Sequence, residues 1–344
     1  MYVSWRVALV STLCLTLALS GCNSGGSSSG GAAGGAGGSA ATPGEPPAVV
    51  GTMPEGAVFP TTETVEQGEY QPLSRPLFIY VNKASLKKPA VVSYVQYYLS
   101  EEGQALVPEV GYVSVSADQI SSTRQAFEQA LASAGVAAPS GEVEGEVRIN
   151  GSSTVAPISS AVSEEFHNVQ PRVRAGVGTA GTSGGFKDFV RGEIDICDAS
   201  RPIKASEVEA CKAAKIDYIE LTIAIDGLTV VVNQDNDWVA GMTVEQLKKV
   251  WEPNSQVTKW SDVDPSWPAE PIKLFGPDTE SGTFEYFTEV VVGEAKSSRT
   301  DYQPNTNDNI LVNGVAGEKY ALGYFGYAYY VENQDRLKAL AVAP

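Results

Sequence analysis

Short apolar strands alternate with helices in the middle of the chain. The pattern predicts strands at 147–150, 173–177 and 194–197, with helices at 155–166 and 186–190 between them. Chains of this kind fold into layered α/β structures whose sheets are mostly parallel. We therefore predict the α/β class, in which ligands bind beyond the carboxyl ends of the strands.

The segment before this pattern predicts similar elements. A strand at 76–82 is followed by a helical run that Pro89 opens and by a second helix at 121–134. Residues 136–147 have loop composition, which predicts a joint between two parts of the chain.

The segment after the pattern contains two capping boxes, which mark further helix starts. They pair Ser206 with Glu209 and Thr243 with Gln246. Two long apolar stretches then predict strands that are long enough to cross between two lobes, at 218–233 and 320–331.

The first 22 residues are typical of an export signal. Arg6 supplies a positive start, residues 7–19 form an apolar run, and the segment ends in "LALSGC". This ending resembles the lipobox of bacterial lipoproteins, in which the cysteine, here Cys22, is lipidated and becomes the mature N-terminus. An ordinary cleaved signal is the alternative, and a transmembrane anchor is disfavoured because the run is too short.

Residues 23–57 are predicted to be a flexible tether. Gly, Ser, Ala and Pro dominate the first part of this segment, and such a composition cannot bury enough apolar surface to offset its ordering entropy. The remaining length is enough for about two folded units.

The charge and the cysteines narrow the possible functions. A formal net charge of -17 without a polybasic stripe argues against nucleic acid as a partner. Cys197 and Cys211 lie outside the cytoplasm if the chain is exported, so they form either a disulfide or two buried thiols. No cysteine and histidine cluster has the spacing of a metal site.

Three turns rich in Ser, Thr and Gly each precede a predicted helix, at 150–157, 178–186 and 279–284. A helix N-terminus offers unpaired N–H groups and a partial positive charge, so hydroxyls and glycines beside it can bind an anion without a lysine. For a single turn, the simpler explanation is that Ser or Thr caps the helix.

Arg201 adds a candidate positive charge at the end of a strand. Its planar fork suits a tetrahedral oxyanion. The alternative is a surface ion pair with Asp198 or Glu207.

Two enzyme-like motifs overlap the second turn. Gly176, Gly178 and Gly181 fit the dinucleotide pattern G-x-G-x-x-G, but an exported protein has little access to nicotinamide cofactors. Gly181, Ser183 and Gly185 fit the hydrolase pattern G-x-S-x-G, which needs a histidine after the serine. The single histidine, His167, precedes it, so both motifs are disfavoured and we expect no cofactor.

These turns resemble those of the periplasmic phosphate-binding proteins that serve ABC-type phosphate importers. The similar stretches include "INGSSTVAPI", "GTSGGFKDFVRGEIDICDASRPIK", "GPDTESGTFEYF", "GVAGEKYALGYFGYAYY" and "YQPLSRPLFIYVNK". The resemblance implies a two-lobe, type II periplasmic-binding-protein fold that holds inorganic phosphate between its lobes. It also implies a monomer whose partners are the membrane subunits of an importer.

The order of these stretches differs from that of the family, in which the stretch "YQPLSRPLFIYVNK" ends the protein. We therefore expect a circular permutation, with 58–135 as one part of lobe I, 136–147 as the joining loop and 148–228 as the rest of lobe I. Residues 229–322 would form lobe II, and 323–344 would return to lobe I. Permutation is tolerated when the original ends lie close together.

The resemblance also implies site residues. The binding turns carry over onto Ser153, Thr154, Thr182, Ser183, Ser281, Gly282 and Thr283. Some members place an aspartate where this chain has Ser200, followed by Arg201, and an arginine where it has Pro277. We expect Asp226 either to replace the missing carboxylate, which would accept the phosphate proton and repel sulfate, or to be a hinge residue.

We therefore predict the phosphate-binding component of an ABC import system, lipid-anchored on the extracytoplasmic face of the membrane and without covalent chemistry. The alternatives are a binder of another tetrahedral oxyanion, a phosphate sensor, or a secreted serine hydrolase or phosphatase.

Overall fold

The computed structural model describes residues 51–279, 281–305 and 307–344. The strands are β1 (Ser74–Asn82), β2 (Gly145–Gly151), β3 (Val173–Gly178), β4 (Ile196–Ala199), β5 (Tyr218–Asn233), β6 (Gly241–Thr243), β7 (Lys273–Pro277), β8 (Gln303–Asn305), β9 (Ala321–Gly326), β10 (Leu337–Ala339) and β11 (Ala341–Ala343). The predicted signal, Cys22 and most of the tether lie outside the described residues.

Helices occur between most of these strands. They are α1 (Thr62–Glu66), α2 (Pro89–Tyr98), α3 (Glu101–Glu109), α4 (Ala117–Ala134), α5 (Ala156–Val169), α6 (Thr182–Val190), α7 (Ala205–Ala214), α8 (Val244–Trp251), α9 (Trp260–Val263), α10 (Gly282–Phe287), α11 (Asp308–Gly317) and α12 (Tyr327–Val331). None of the helices in the described part of the chain is long and apolar enough to cross a bilayer.

Most of the strands form one sheet, in the order β3-β2-β4-β1-β5-β9-β7-β8, with β10 also paired to β5. β2 is parallel to β3 and β4, and β7 is parallel to β8 and β9. At the centre, β1 is antiparallel to β4 and β5, and β5 is antiparallel to β9. The sheet is therefore mixed rather than mostly parallel, because long antiparallel strands join its two parallel parts.

β5 connects two hydrophobic cores. Its first half pairs with β1, and its second half pairs with β9 and β10. One core includes Tyr94 and Phe166, whose rings meet edge to face at 5.4 Å, and the other includes Trp251 and Tyr324, whose rings meet at 4.9 Å. Truncating such an aromatic residue to alanine typically costs about 3–5 kcal/mol of stability.

Several predicted boundaries need correction. The predicted strand at 320–331 ends at Gly326, and α12 follows, because Tyr327 and Tyr330 lie three residues apart on one buried helical face. The capping box with Ser206 is wrong. The N-cap of α7 lies two residues earlier, at Lys204, where the Glu207 carboxylate accepts a hydrogen bond from Lys204 N at 2.8 Å. The box of Thr243 and Gln246 is confirmed.

The segment before the joint belongs to the same fold as the segment after it. β1 lies between β4 and β5 in the sheet. The buried Asp195 carboxylate accepts hydrogen bonds from Ser85 Oγ at 2.6 Å, Lys88 Nζ at 2.8 Å and Arg148 N at 3.0 Å. These bonds tie the residues that follow β1 to β2 and the start of β4.

Cys197 and Cys211 are two buried free thiols, so the disulfide alternative is wrong in this structure. They belong to a small apolar cluster with Phe186 and Phe189, between β4 and the helices α6 and α7. Burial raises the pKa of the Cys197 thiol, which makes it a poor nucleophile and metal ligand.

Candidate functional site

A cavity of about 260 Å³ lies where β2 and β4 end, next to the starts of α5 and α6. Predicted site residues line it, namely Ser153, Thr154, Thr182, Ser183, Ser200 and Arg201. The structure therefore brings these separate stretches together around one cavity.

The first turn joins β2 to α5. Ser152 Oγ accepts a hydrogen bond from Thr154 N at 3.2 Å, and Ser152 N donates to Asp198 O at 2.9 Å. The N-cap of α5 is Val155, which makes no side-chain capping bond. Ser153 and Thr154 therefore do not cap the helix, and both residues line the cavity.

The second turn is also not a side-chain cap. The N-cap of α6 is Gly181, with a φ of 76°, and no side chain bonds the exposed N–H groups there. Instead, the Thr182 hydroxyl contacts Ser200 Oγ at 3.2 Å and accepts a hydrogen bond from Ser200 N at 3.2 Å. α6 starts earlier than predicted, and this start brings the turn against the end of β4.

In the third turn the serine caps the helix, which was the simpler explanation for a turn of this composition. Ser281 is the N-cap of α10, and its hydroxyl accepts a hydrogen bond from Thr283 N at 3.2 Å. Neither Ser281, Gly282 nor Thr283 lines the cavity. The turn nevertheless touches the first one, because a Cβ at Gly282 would lie 2.6 Å from Thr154 Oγ1.

Close backbone packing brings the first two turns together as well. A Cβ at Gly185 would lie 2.6 Å from Gly151 Cα, so only glycine lets α6 approach the end of β2. The first turn is thus in contact with both of the others.

Arg201 lines the cavity and also forms the ion pair with Glu207 that its sequence allowed. Its guanidinium lines the cavity and donates to Ser183 Oγ at 2.9 Å. It also forms two hydrogen bonds with the Glu207 carboxylate, at 2.8 and 2.9 Å. Burial would raise the pKa of Glu207, but these bonds and the one from Lys204 N hold that pKa below its usual value.

Arg75 is a cavity residue that the sequence analysis did not identify. Its Nε lies 3.2 Å from Asp226 Oδ2, and its Nη2 donates to Thr154 Oγ1 at 3.3 Å. Its guanidinium carbon lies 3.7 Å from the centre of the Tyr286 ring. The signal was present, because Ser-Arg-Pro occurs at 74–76 as well as at 200–202.

Asp226 does not line the cavity, and its pairing with Arg75 does not favour the predicted role of proton acceptor. Its side chain is 3% exposed and lies opposite Arg75 in the register of β1 and β5. Burial raises the pKa of Asp226, and Arg75 opposes that effect. The carboxylates that do line the cavity are Glu285 and Glu289, on the side that α10 and the residues after it provide.

Asp198 is a buried carboxyl group beside the site. It lies on β4 opposite Gly151 and points away from the cavity, toward Ser159, Tyr94 and Tyr98. Neither carboxylate oxygen has a hydrogen-bond partner among the described residues. Burial raises the pKa of Asp198 to about 7, which the nearby Ser159 hydroxyl only partly offsets.

The hydrolase motif lacks its base in this geometry. His167 Nδ1 contacts Val173 O at 3.4 Å and does not line the cavity, while Ser183 accepts its hydrogen bond from Arg201. Within the described residues, no group of histidine, cysteine or carboxylate side chains could hold a metal ion.

Comparisons with known proteins agree with this fold. The PBP superfamily domain matches residues 136–342. Protein SphX of Synechocystis sp. is 48% identical over 198 residues, which are 57% of this chain and 59% of the relative. The phosphate-binding protein PstS of Staphylococcus saprophyticus is 42% identical over 207 residues, which are 60% of this chain and 63% of the relative.

A solved structure is also similar. It is described as a possible phosphate binding protein from Planctomyces limnophilus DSM 3776, with 56% identity and a TM-score of 0.56 over 58% of this chain and 70% of that one. The predicted periplasmic-binding-protein fold is confirmed. The chain spans about three fifths of the length of the curated relatives it matches, and its lobe boundaries and permutation stay predictions.

Proposed function

We propose that this chain binds inorganic phosphate as the solute-binding component of an ABC-type phosphate importer. The chain belongs to the PBP superfamily. The matched relatives include proteins named for phosphate binding, and we extend that ligand to this chain. In this role the protein performs no covalent chemistry, and its monomer delivers phosphate to the membrane subunits of the importer.

One observation carries this proposal. Hydroxyl groups from separate turns face one cavity without capping the helices that follow them, at Thr154 and Thr182, and Arg201 lies among them. Hydroxyls that are not used as caps can donate to a ligand, and unpaired helix N–H groups favour an anion. A tetrahedral oxyanion fits these donors because its oxygens can accept hydrogen bonds from several residues that line one cavity.

In this arrangement phosphate contacts lobe I through the residues that line the cavity, namely Ser153, Thr154, Thr182, Ser183, Ser200 and Arg201. The third turn, at 281–283 in lobe II, does not line the cavity and would reach the ligand only when the lobes close further. The contact of Gly282 with Thr154 supports this arrangement, since it joins the third turn to the first. A ligand that binds both lobes only when they meet would stabilise the closed form.

The basis for selecting phosphate over sulfate differs from the sequence prediction, in which Asp226 could accept the phosphate proton. With Asp226 engaged by Arg75, no carboxylate at the position of Ser200 or Asp226 faces the cavity to accept the phosphate proton. The carboxylates that line the cavity are those of Glu285 and Glu289, on the α10 side. We expect arsenate to compete with phosphate, and sulfate to compete more strongly than in a site that has a carboxylate acceptor at the position of Ser200.

Isothermal titration of the protein with phosphate, arsenate and sulfate tests the function. We expect one phosphate per chain, tighter than sulfate because the hydroxyl groups of the turns can both donate to phosphate and accept from it. A protein that binds none of these anions would contradict the function. Preference for sulfate would move it to the class of other tetrahedral oxyanion binders.

A serine hydrolase is the alternative of a different class, and the structure offers no histidine for Ser183. We expect no turnover of aryl esters or phosphate esters by the native protein. Turnover that disappears in Ser183→Ala would instead establish the enzyme.

We further propose that the chain is exported, lipidated on Cys22 and circularly permuted within lobe I. Val58 and Val342 exchange backbone hydrogen bonds of 3.0 and 2.9 Å, so the two positions that a permutation would have separated lie side by side. Mass spectrometry of the membrane-bound protein tests the lipid. Unmodified Cys22 in that fraction would contradict the anchor.

A further inference from the structure

We propose that Arg75 is a direct ligand of the bound oxyanion and that Asp226 and Tyr286 are the positioning residues that aim its guanidinium at the cavity. The inference rests on the proposed function, because it names a further ligand of the same site. Arg75 lies outside the matched residues 136–342, so it belongs to the part of the chain that the superfamily domain does not cover.

The position of Arg75 follows from the sheet. β1 runs antiparallel to β5, which places Arg75 directly opposite Asp226. The side chain extends from the start of β1 to the cavity wall, where its Nη2 reaches Thr154 Oγ1 of the first turn at 3.3 Å. A residue from the N-terminal part of the chain thus completes a wall that β2 and β4 provide.

The guanidinium keeps donors free for a ligand. Its Nε faces the Asp226 carboxylate at 3.2 Å, while its terminal Nη2 donates to Thr154 Oγ1 of the first turn at 3.3 Å. A guanidinium has five N–H donors in a rigid fork, so the bonds to Asp226 and Thr154 leave three N–H groups, with at least one on each terminal nitrogen. These remaining groups can donate to two oxygens of a tetrahedral oxyanion.

Tyr286 fixes the orientation of this fork. Its ring lies against the guanidinium, 3.7 Å from the guanidinium carbon, and its hydroxyl donates to Pro72 O at 2.6 Å. The ring is therefore held in place from the opposite end. A guanidinium held by a carboxylate and an aromatic face loses little freedom when it binds a ligand, which favours affinity.

Asp226 has a positioning role in this arrangement. Its side chain is 3% exposed, one of its oxygens contacts Arg75, and it does not line the cavity. It compensates part of the charge of Arg75 and sets the direction of its fork. The positive charge at the site is thus shared between Arg75 and Arg201 rather than concentrated on Arg201.

Phosphate titration of Arg75→Gln tests the inference, with unfolding curves of the ligand-free proteins recorded in parallel. We expect phosphate to bind roughly 10- to 100-fold more weakly, the usual effect of losing a charged hydrogen bond. Arg172→Gln is the control, because it also removes one positive charge, from an exposed pair with Glu142, and it should bind like the native protein.

Asp226→Asn separates positioning from charge loss. It keeps the size of the side chain but frees the Arg75 fork, so we expect weaker binding of phosphate, by several-fold, with Arg75 still present. Combined with Arg75→Gln, the second change should add little, because its effect acts through Arg75. Full additivity of the two effects on affinity would overturn the positioning role.

The outcomes for the two proposals differ. No phosphate binding by the native protein would overturn the proposed function, and this inference with it. If the native protein binds phosphate and Arg75→Gln binds it with unchanged affinity, the role of Arg75 alone is overturned.

If Arg75→Gln does not fold, Arg75→Lys replaces it. An ammonium held by Asp226 cannot also reach the cavity, so we expect weaker binding there too, and native affinity would overturn the inference.

Discussion

The same tripeptide, Ser-Arg-Pro, occurs at 74–76 and 200–202, and both arginines reach one cavity in different surroundings. The Arg75 side chain is 16% exposed and pairs with an Asp226 side chain that is 3% exposed. The Arg201 side chain is 23% exposed and pairs with a Glu207 side chain that is 16% exposed. Identical local sequence thus yields two half-buried guanidinium groups, of which one pairs with a fully buried carboxylate and the other with a carboxylate that water reaches more easily.

This difference teaches that the role of a cation depends on the elements around it. Arg75 is enclosed by β5, α10 and the first turn, whereas Arg201 bonds to the N-terminal region of α7 and to the second turn. A buried ion pair is costly to break, and an exposed one contributes little to stability. We therefore expect Arg75 to matter for both stability and binding, and Arg201 mainly for binding.

Asp226→Ala should destabilise the protein more than any other substitution considered. It leaves the Arg75 charge without its buried partner, so we expect the free energy of unfolding to fall by about 3 kcal/mol. Glu207→Ala at the more exposed pair should cost about 1 kcal/mol or less. Urea unfolding of both variants measures the two values, and equal losses would remove the contrast between the pairs.

Asp198 is a buried carboxyl group without a guanidinium partner in the described part of the chain, in contrast to Asp226, and the substitution Asp198→Asn tests what that difference does to stability. The pKa of Asp198 is raised to about 7, so the folded protein keeps a proton that the unfolded chain releases above its ordinary pKa. Stability should therefore fall as the pH rises from about 4 to 7, and the full cost should be present above 7.

Removing that group should stabilise the protein at pH 8 by about 2–4 kcal/mol and have little effect near pH 4. Thermal unfolding of the native protein and Asp198→Asn across this range provides the measurement. A stabilisation that is independent of pH would contradict a titrating Asp198.

Arg201→Ala should weaken phosphate binding by at least about 1.5 kcal/mol, the typical value of a charged hydrogen bond. Its effect on unfolding should be smaller than that of Asp226→Ala, because water reaches the Arg201 pair. Titration calorimetry measures the affinity. Unchanged affinity would restrict Arg201 to its structural bond with Glu207.

The smallest expected effect is a difference in how the two arginine variants respond to salt. Ions screen exposed charges more than buried ones, so the loss of affinity in Arg201→Ala should shrink at high NaCl by a few tenths of a kcal/mol. The loss in Arg75→Gln should change less. Titrations at low and high ionic strength compare the two, and an equal salt dependence would indicate that both arginines are similarly exposed.

The sequence predicted the parts of the site that are local. Thr154, Thr182 and Arg201 were identified because each belongs to a short motif at a strand end. Arg75 was missed because it contacts Thr154 across 79 residues, and only the pairing of β1 with β5 brings it there. That antiparallel pairing at the centre of the sheet leaves no signal in hydrophobic periodicity.

Asp226 and the third turn also show that local sequence does not reveal which distant residues a side chain contacts. A carboxylate beside a predicted crossing can face a ligand or a buried arginine, and only the register of β5 distinguishes them. Ser281 has the composition of an anion turn and is a helix cap, as single turns often are. Fold class and turn positions were thus predictable, whereas long-range partners were not.

A crystal structure of the protein with bound arsenate, located by anomalous scattering, tests the central claim most directly. Arsenate is a tetrahedral oxyanion with the shape of phosphate, so its arsenic atom marks the site. The account predicts one arsenate in the cavity, within hydrogen-bond distance of Thr154, Thr182, Arg75 and Arg201. An arsenate bound elsewhere, with none of these four side chains in contact, would contradict it.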